Sequence, residues 1–264
     1  MKSASKLFTA LIVLAVSLAV PFTAEPSSYG KAFYRGLSAR LGRNRTDYPS
    51  LTDEQFANFR MVRTTGIGAG KLYRSSSPVS TWGGRNFIAD RAAREAGVKT
   101  FINLADSESS VREHEGFPGS YYSTQRIITL NLGMKYQSKT FRERLARGIS
   151  LMAKSEPPYL VHCSLGKDRA GFVCALVECL MGAKWREVVR DYLVSFGNYF
   201  GIEPGSEEYD FVVKNEITVF LARAFGVRVE DMVRINLADS AERYFRGIGV
   251  SVRDLEVLRE KLRP

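Results

Sequence analysis

Between residue 70 and about residue 181, short apolar runs alternate with stretches whose apolar residues recur every three or four positions. LYRSS, VKTFINL, RIITLNL and YLVHC read as strands, and NFIADRAAREAG and FRERLARGISLMAKS as amphipathic helices. Strands alternating with helices predict an α/β architecture, a central mostly parallel sheet flanked by helices. Beyond about residue 181 the pattern is almost wholly helical. Tyr209, Val213, Ile217, Phe220, Leu221 and Ala224 fall on one stripe that Gly226 closes. Ser251, with Asp254 three residues on, makes a capping-box-like start to a last helix carrying Leu255, Leu258 and Leu262. This helical C-terminal portion needs a surface to pack on, and the α/β layer supplies one.

Two stretches lack that texture. In residues 1–24, Lys2 and Lys6 precede an uncharged run containing ALIVLAVSLAV, the layout of a secretory signal peptide. Ser17-Leu18-Ala19 offers a small-x-small cleavage pattern, and a cut after Ala24 is the other choice. An uncleaved membrane anchor is the alternative, because the apolar run is near the lower limit for spanning a bilayer. Either way the remainder is expected to be exported, to a periplasm or out of the cell. Residues 25–58 are rich in Gly, Ser, Arg and Tyr without clear periodicity and read as a linker or N-terminal arm. Residues 59–264 are left as a single domain.

Composition narrows the class. With 264 residues, 45% hydrophobic and 25% charged, the chain can bury a core, which excludes a disordered or fibrous protein. Three cysteines are too few for a disulfide scaffold. The formal charge is +10, and removing Lys2 and Lys6 with the leader still leaves +8. Such an excess points to an anionic partner: a phosphorylated substrate, a membrane surface or a nucleic acid. Nucleic acid would need a basic stripe interleaved with stacking aromatics, and no such pattern occurs.

The candidate chemistry lies in one loop. Residues 158–171 read PYLVHCSLGKDRAG: an apolar strand, Cys163, five intervening residues, Arg169, then a helical pattern. A bare Cys-x5-Arg is weak evidence, but a loop between a strand end and a helix start combines unpaired N–H groups with the helix dipole, and so makes an anion site. The amides of Ser164, Leu165, Gly166, Lys167 and Ala170 can surround a phosphoryl group while Arg169 grips two of its oxygens as a fork. The same field favours the thiolate, the nucleophilic form of Cys163. A small buried core residue is the alternative for Cys163 and the expectation for Cys174 and Cys179. His162 is expected to orient the loop; with two histidines in the chain and no ligand spacing, neither a metal nor any other cofactor is expected.

HCSLGKDRAG resembles the signature loop of cysteine-dependent phosphatases, in the HC-x-x-GKDR form of bacterial tyrosine and dual-specificity phosphatases similar to the secreted mycobacterial protein and lipid phosphatase. LYRSSSP, FINLADS, VVRDYLVSFGNYFG and RYFRGIGVSVRDLEVLREKL resemble the same family in the same order, from about Phe59 to the C-terminus. The resemblance implies the cysteine-phosphatase fold and a phosphocysteine intermediate: Cys163 attacks phosphorus, Arg169 and the loop amides hold the equatorial oxygens, and water then releases phosphate. Many relatives take the leaving-group proton from an Asp about thirty residues upstream, but between Gly116 and His162 this chain has only Glu143 and Glu156, both in or beside a helical segment. Asp168 is therefore the expected general acid, with Asp106 the fallback and bracing of the loop the alternative role for Asp168. Lys167 is expected to add positive charge over the phosphate.

Two departures from the family matter. Ala170 stands where relatives carry Thr or Ser to help the sulfur leave, so turnover is expected to be slow. NLAD stands where they often carry Asp-Leu-Arg, leaving Arg74 or Arg112 as substitutes for the missing arginine. The expected substrates are phosphotyrosine or mixed phosphoproteins, with inositol phosphates or phosphoinositides as the alternative. A phosphate-binding pseudoenzyme is the second alternative. A reversible disulfide between Cys163 and Cys174 or Cys179 is a further expectation for an oxidising compartment.

Overall fold

The computed structural model describes residues 28–264; the leader expected at 1–24 lies outside them. The chain order is α1 (Ser28–Arg40), α2 (Asp53–Phe56), β1 (Arg60–Met61), β2 (Leu72–Ser75), α3 (Asn86–Glu95), β3 (Thr100–Asn103), α4 (Glu108–Arg112), β4 (Arg126–Thr129), α5 (Lys139–Ala153), β5 (Tyr159–His162), α6 (Asp168–Leu180) and α7 (Trp185–Phe200). There follow α8 (Glu207–Val212), a π turn (Val213–Ile217), α9 (Thr218–Phe225), α10 (Leu237–Gly247) and α11 (Val252–Leu262).

The sheet runs β1-β2-β5-β3-β4, parallel throughout except for the antiparallel β1 edge. Every residue of β2, β3 and β5 is buried, as strands covered on both faces must be. Alternate residues feed two cores. Leu72, Ile102, Tyr159 and Val161 join the larger one with α5, α6, α7 and α11, whereas Tyr73, Phe101 and Leu160 join Ala93, Val111 and Tyr122 on the opposite face. Central β5 is paired with β2 through Ser75↔His162 and with β3 through Asn103↔His162, so the carboxyl ends of three strands converge where the signature loop starts. Open parallel sheets place ligands at that edge.

The C-terminal helices arise as their pattern predicts. The Ser251 hydroxyl caps the Asp254 amide at 3.0 Å, and Leu255, Leu258 and Leu262 are buried. Among the described residues no helix is long and apolar enough to cross a membrane. Part of the stretch expected as a linker or N-terminal arm packs onto the domain. Residues 28–40 form a helix that buries Phe33, Tyr34 and Leu37, with the Phe33 ring 4.3 Å from that of Phe211, and Arg40 donates to both carboxylate oxygens of Glu208. Further on, the buried Arg85 guanidinium lies 5.1, 4.3 and 5.1 Å from the ring centres of Tyr48, Phe56 and Tyr199. These aromatic contacts carry the segment onto the domain despite its weak periodicity.

Candidate active site

Cys163 is the first residue after β5, and α6 begins at Asp168. The turn between them depends on Gly166, whose φ of +69° suits glycine and whose Cβ position would run into the Ser75 carbonyl. Most of the carbonyls of the turn are held from behind. His162 O accepts from Leu104 N–H at 2.9 Å and Ser164 O from Ser77 N–H at 3.1 Å. Leu165 O accepts from the Tyr199 hydroxyl at 2.6 Å and from Asn58 Nδ2 at 3.0 Å. Gly166 O and Lys167 O both accept from Arg74 Nη2, at 2.8 and 3.2 Å. Among the described residues the amides of residues 164–169 donate to no protein acceptor.

Arg169 completes the ring. Its Nη1 donates to Leu132 O at 3.0 Å and its Nη2 to Ser164 Oγ at 3.1 Å, while the buried Nε has no protein partner. Cys163 is 2% exposed, and of the residues between it and Arg169 only Ser164 is exposed. A shallow cup of N–H donors, one guanidinium edge and one sulfur is suited to a tetrahedral oxyanion.

Other expected residues fall into place around the loop. His162 is buried with Nε2 3.2 Å from the Tyr122 hydroxyl, and burial pushes its imidazole down to about 4, so it is neutral. Tyr122 in turn accepts from Asn103 Nδ2 at 3.0 Å, which also reaches Asp106 Oδ2 at 3.0 Å. Asp106 pairs with His114 at 3.1 Å. Burial would raise the Asp106 carboxyl, but the His114 and Asn103 bonds outweigh it and hold the group below the ordinary range. Asp106 is thus an ionised brace. Asp168 opens α6, partly exposed, with an oxygen on the Lys167 ammonium. Lys167 points inward instead of over the loop, with Nζ 4.4 Å from the centre of the Phe196 ring. Ala170 is fully buried in the first turn of α6. All three cysteines are free, and burial pushes the Cys174 and Cys179 thiols upward.

Neither arginine considered for the missing Asp-Leu-Arg position stands over the loop as a free cation. Arg112 is exposed beside Phe117, and Arg74 is fully buried beneath the loop. Arg74 Nη1 meets Asp191 Oδ2 at 2.5 Å, and Asp191 Oδ1 meets Arg60 Nε at 2.9 Å. Burial works against the Asp191 charge, yet the two guanidinium groups hold its carboxyl down at about 2. Gly171 allows this approach, since a Cβ there would come within 2.9 Å of Arg74 Nη2. Asn58, Asp191 and Tyr199 are not visible as site residues in the sequence. A charged Arg74 inside an apolar strand and Asp191 beside the apolar stripe of α7 were the available signals.

The tyrosine phosphatase family model matches residues 64–264. The chain belongs to the tyrosine phosphatase family. This tyrosine phosphatase family member is a cysteine-based phosphatase, a phosphoric monoester hydrolase acting on an anionic phosphorylated substrate. No curated protein matches the chain. Among solved structures it is similar to the core catalytic domain of the PP-IP phosphatase SIW14 from S. cerevisiae in complex with citrate, at 17% identity and a TM-score of 0.37, over 60% of this chain and 85% of that one.

Proposed function

We propose that the protein is an exported phosphatase in which Cys163 is the nucleophile, Arg169 and the amides of residues 164–169 bind the phosphoryl oxygens, and Asp168 is the general acid. The observation that carries this reading is that the loop following Cys163 at the end of β5 leaves the amides of residues 164–169 and the buried Arg169 Nε without protein acceptors. In the first step the sulfur bonds to phosphorus, the phosphorus–oxygen bond breaks, and Asp168 gives its proton to the leaving oxygen. In the second, water attacks phosphorus, Asp168 accepts the water proton, and the sulfur–phosphorus bond breaks. Asp106 is the weaker candidate acid because His114 keeps it ionised. Export rests on the leader at residues 1–24.

Phosphotyrosine in proteins, with dual specificity toward other phosphoproteins, is the substrate class we favour. A nucleophile 2% exposed is reached more easily by a phosphate on a long aryl stem than by one on a short alkyl side chain. Inositol phosphates or phosphoinositides are the second reading, favoured by the +8 charge that remains without the leader, which raises the local concentration of polyanions and of anionic membrane surfaces. Metal-free hydrolysis of an aryl phosphate, lost in Cys163→Ser with substrate binding retained, is expected; a fully active Cys163→Ser protein overturns the mechanism. Asp168→Asn should slow poor leaving groups more than good ones. A panel of phosphotyrosine peptides, phosphoserine peptides, inositol hexakisphosphate and phosphoinositides separates the substrate classes.

A further inference from the structure

A cavity at the carboxyl edge of the sheet has no part in the mechanism above. It measures about 140 Å³ and lies between Pro78, the first turn of α3 and residues 115–120. Two of its walls continue into contacts that brace the site. Ser77, the residue before Pro78, donates its N–H to Ser164 O at 3.1 Å, and His114, the residue before Glu115, holds Asp106 at 3.1 Å. Pro78 is thus one residue away from a direct contact with the signature loop.

The cavity is lined by an amide that folding leaves unsatisfied. Asn86, the first residue of α3, is 1% exposed, and among the described residues neither its Oδ1 nor its Nδ2 has a hydrogen-bond partner. A buried carboxamide in that state destabilises the fold, and an apolar side chain of similar size would be more stable there. Space is kept open beside it: a Cβ on Gly116 would come within 2.7 Å of Asn86 Nδ2 and 2.5 Å of Val79 O. Asp90 fixes a further part of the lining, its two carboxylate oxygens accepting from the Tyr121 and Tyr122 amides at 2.9 and 2.8 Å. Phe87, which also lines the cavity, is 73% exposed, the most exposed large hydrophobic side chain among the described residues.

These features define the chemistry of an occupant. The lining holds the carboxylates of Asp90 and Glu115 and no Lys, Arg or His, so a phosphate or carboxylate is disfavoured and a neutral group fits. The Asn86 amide offers one N–H donor group and one acceptor oxygen side by side, which a second carboxamide matches through two N–H···O bonds. The volume lies below the about 300 Å³ at which pockets for whole small molecules begin, and suits a single side chain. We propose that the cavity is a specificity subsite for an Asn or Gln side chain flanking the phosphotyrosine of a protein substrate, its carboxamide paired with Asn86 and its stem lying against Phe87. The inference rests on phosphotyrosine proteins being the substrate class. It gives the unsatisfied amide a use: a polar group left unpaired in the free enzyme rejects an apolar or charged side chain and accepts the one that completes its hydrogen bonds.

The test uses phosphotyrosine peptides that carry Gln, Glu or Leu at each flanking position in turn, with 4-nitrophenyl phosphate as a substrate that has no flanking chain. At one position Gln should raise kcat/KM about tenfold over Leu and Glu, the worth of hydrogen bonds to an otherwise unpaired buried amide. Asn86→Leu should reverse that choice, preferring Leu to Gln at the same position, and should lose far more activity toward the Gln peptide than toward 4-nitrophenyl phosphate. Absence of a Gln advantage at every position, or equal losses for both substrates in Asn86→Leu, overturns the proposal while phosphotyrosine remains the substrate. A wild type that hydrolyses none of the phosphotyrosine peptides, yet cleaves 4-nitrophenyl phosphate, overturns the substrate class and the proposal with it. Should Asn86→Leu not fold, Phe87→Ala decides, since its side chain is exposed: the Gln advantage should shrink about threefold through lost apolar contact, and an undiminished advantage counts against the proposal.

Discussion

Ala170 places a methyl, fully buried, where a hydroxyl could hydrogen-bond the departing sulfur. Without that hydroxyl, hydrolysis of the phosphocysteine should limit turnover. Stopped-flow with 4-nitrophenyl phosphate should show a burst of about one nitrophenol per enzyme, and Ala170→Ser should raise the steady-state rate about tenfold and shrink the burst. His162 gives a second prediction. Its imidazole is neutral when folded, with a pKa of about 4, against 6.5 when exposed. Between those values the unfolded chain takes up a proton that the native protein refuses, so the contribution is complete above pH 6.5 and is lost as pH falls toward 4. From pH 7 to 4.5 the wild type should lose about 2.5 kcal/mol more unfolding free energy than His162→Gln in urea titrations. The residues from His162 to Ala170 were legible because they are contiguous and their types spell out an anion site. Asn58, Arg74, Asp191 and Tyr199 were not, since each is one polar residue in its own segment and gains a role only when folding brings it beneath the loop.

At the scale of elements, the pattern carried well where burial is two-sided or the helical stripe is long. The uninterrupted apolar runs of β3 and β5 reflect cover on both faces, and α5 and α11 show full stripes. Helix α1 escaped notice because Phe33, Tyr34 and Leu37 make a short stripe broken by Gly30, Lys31, Arg35 and Gly36. The π turn escaped for another reason: Tyr209, Val213 and Ile217 keep helical spacing, and a one-residue widening leaves no mark on a pattern of period 3.6. The segment at 28–40 is nevertheless structural. Leu37, 1% exposed in the larger core, predicts a loss of about 2–5 kcal/mol for Leu37→Ala, read from denaturant midpoints. The exposed Arg40 and Glu208 pair should matter far less, by about 0.5 kcal/mol.

For the molecule as a whole, the formal charge of +8 that remains without the leader sets how substrates approach. Salt should lower kcat/KM for inositol hexakisphosphate more steeply than for an aryl phosphate between 50 and 500 mM, roughly the range over which the Debye length contracts below 10 Å; equal slopes would leave charge without a steering role. The loop braces also have a consequence in time. Arg74 and Gly166 are 92 residues apart, Asn58 and Leu165 are 107 apart, and Arg60 and Asp191 are 131 apart. Contacts of such sequence separation close late in folding. During refolding, helical signal should return before hydrolysis, and the catalytic rate should follow the slowest structural phase. A growing polypeptide that has reached residue 171 already possesses the full signature loop, yet without α7 it lacks Asp191 and Tyr199 to hold it. The enzyme is therefore silent while it is being made, and becomes a phosphatase only when its final third closes on its first.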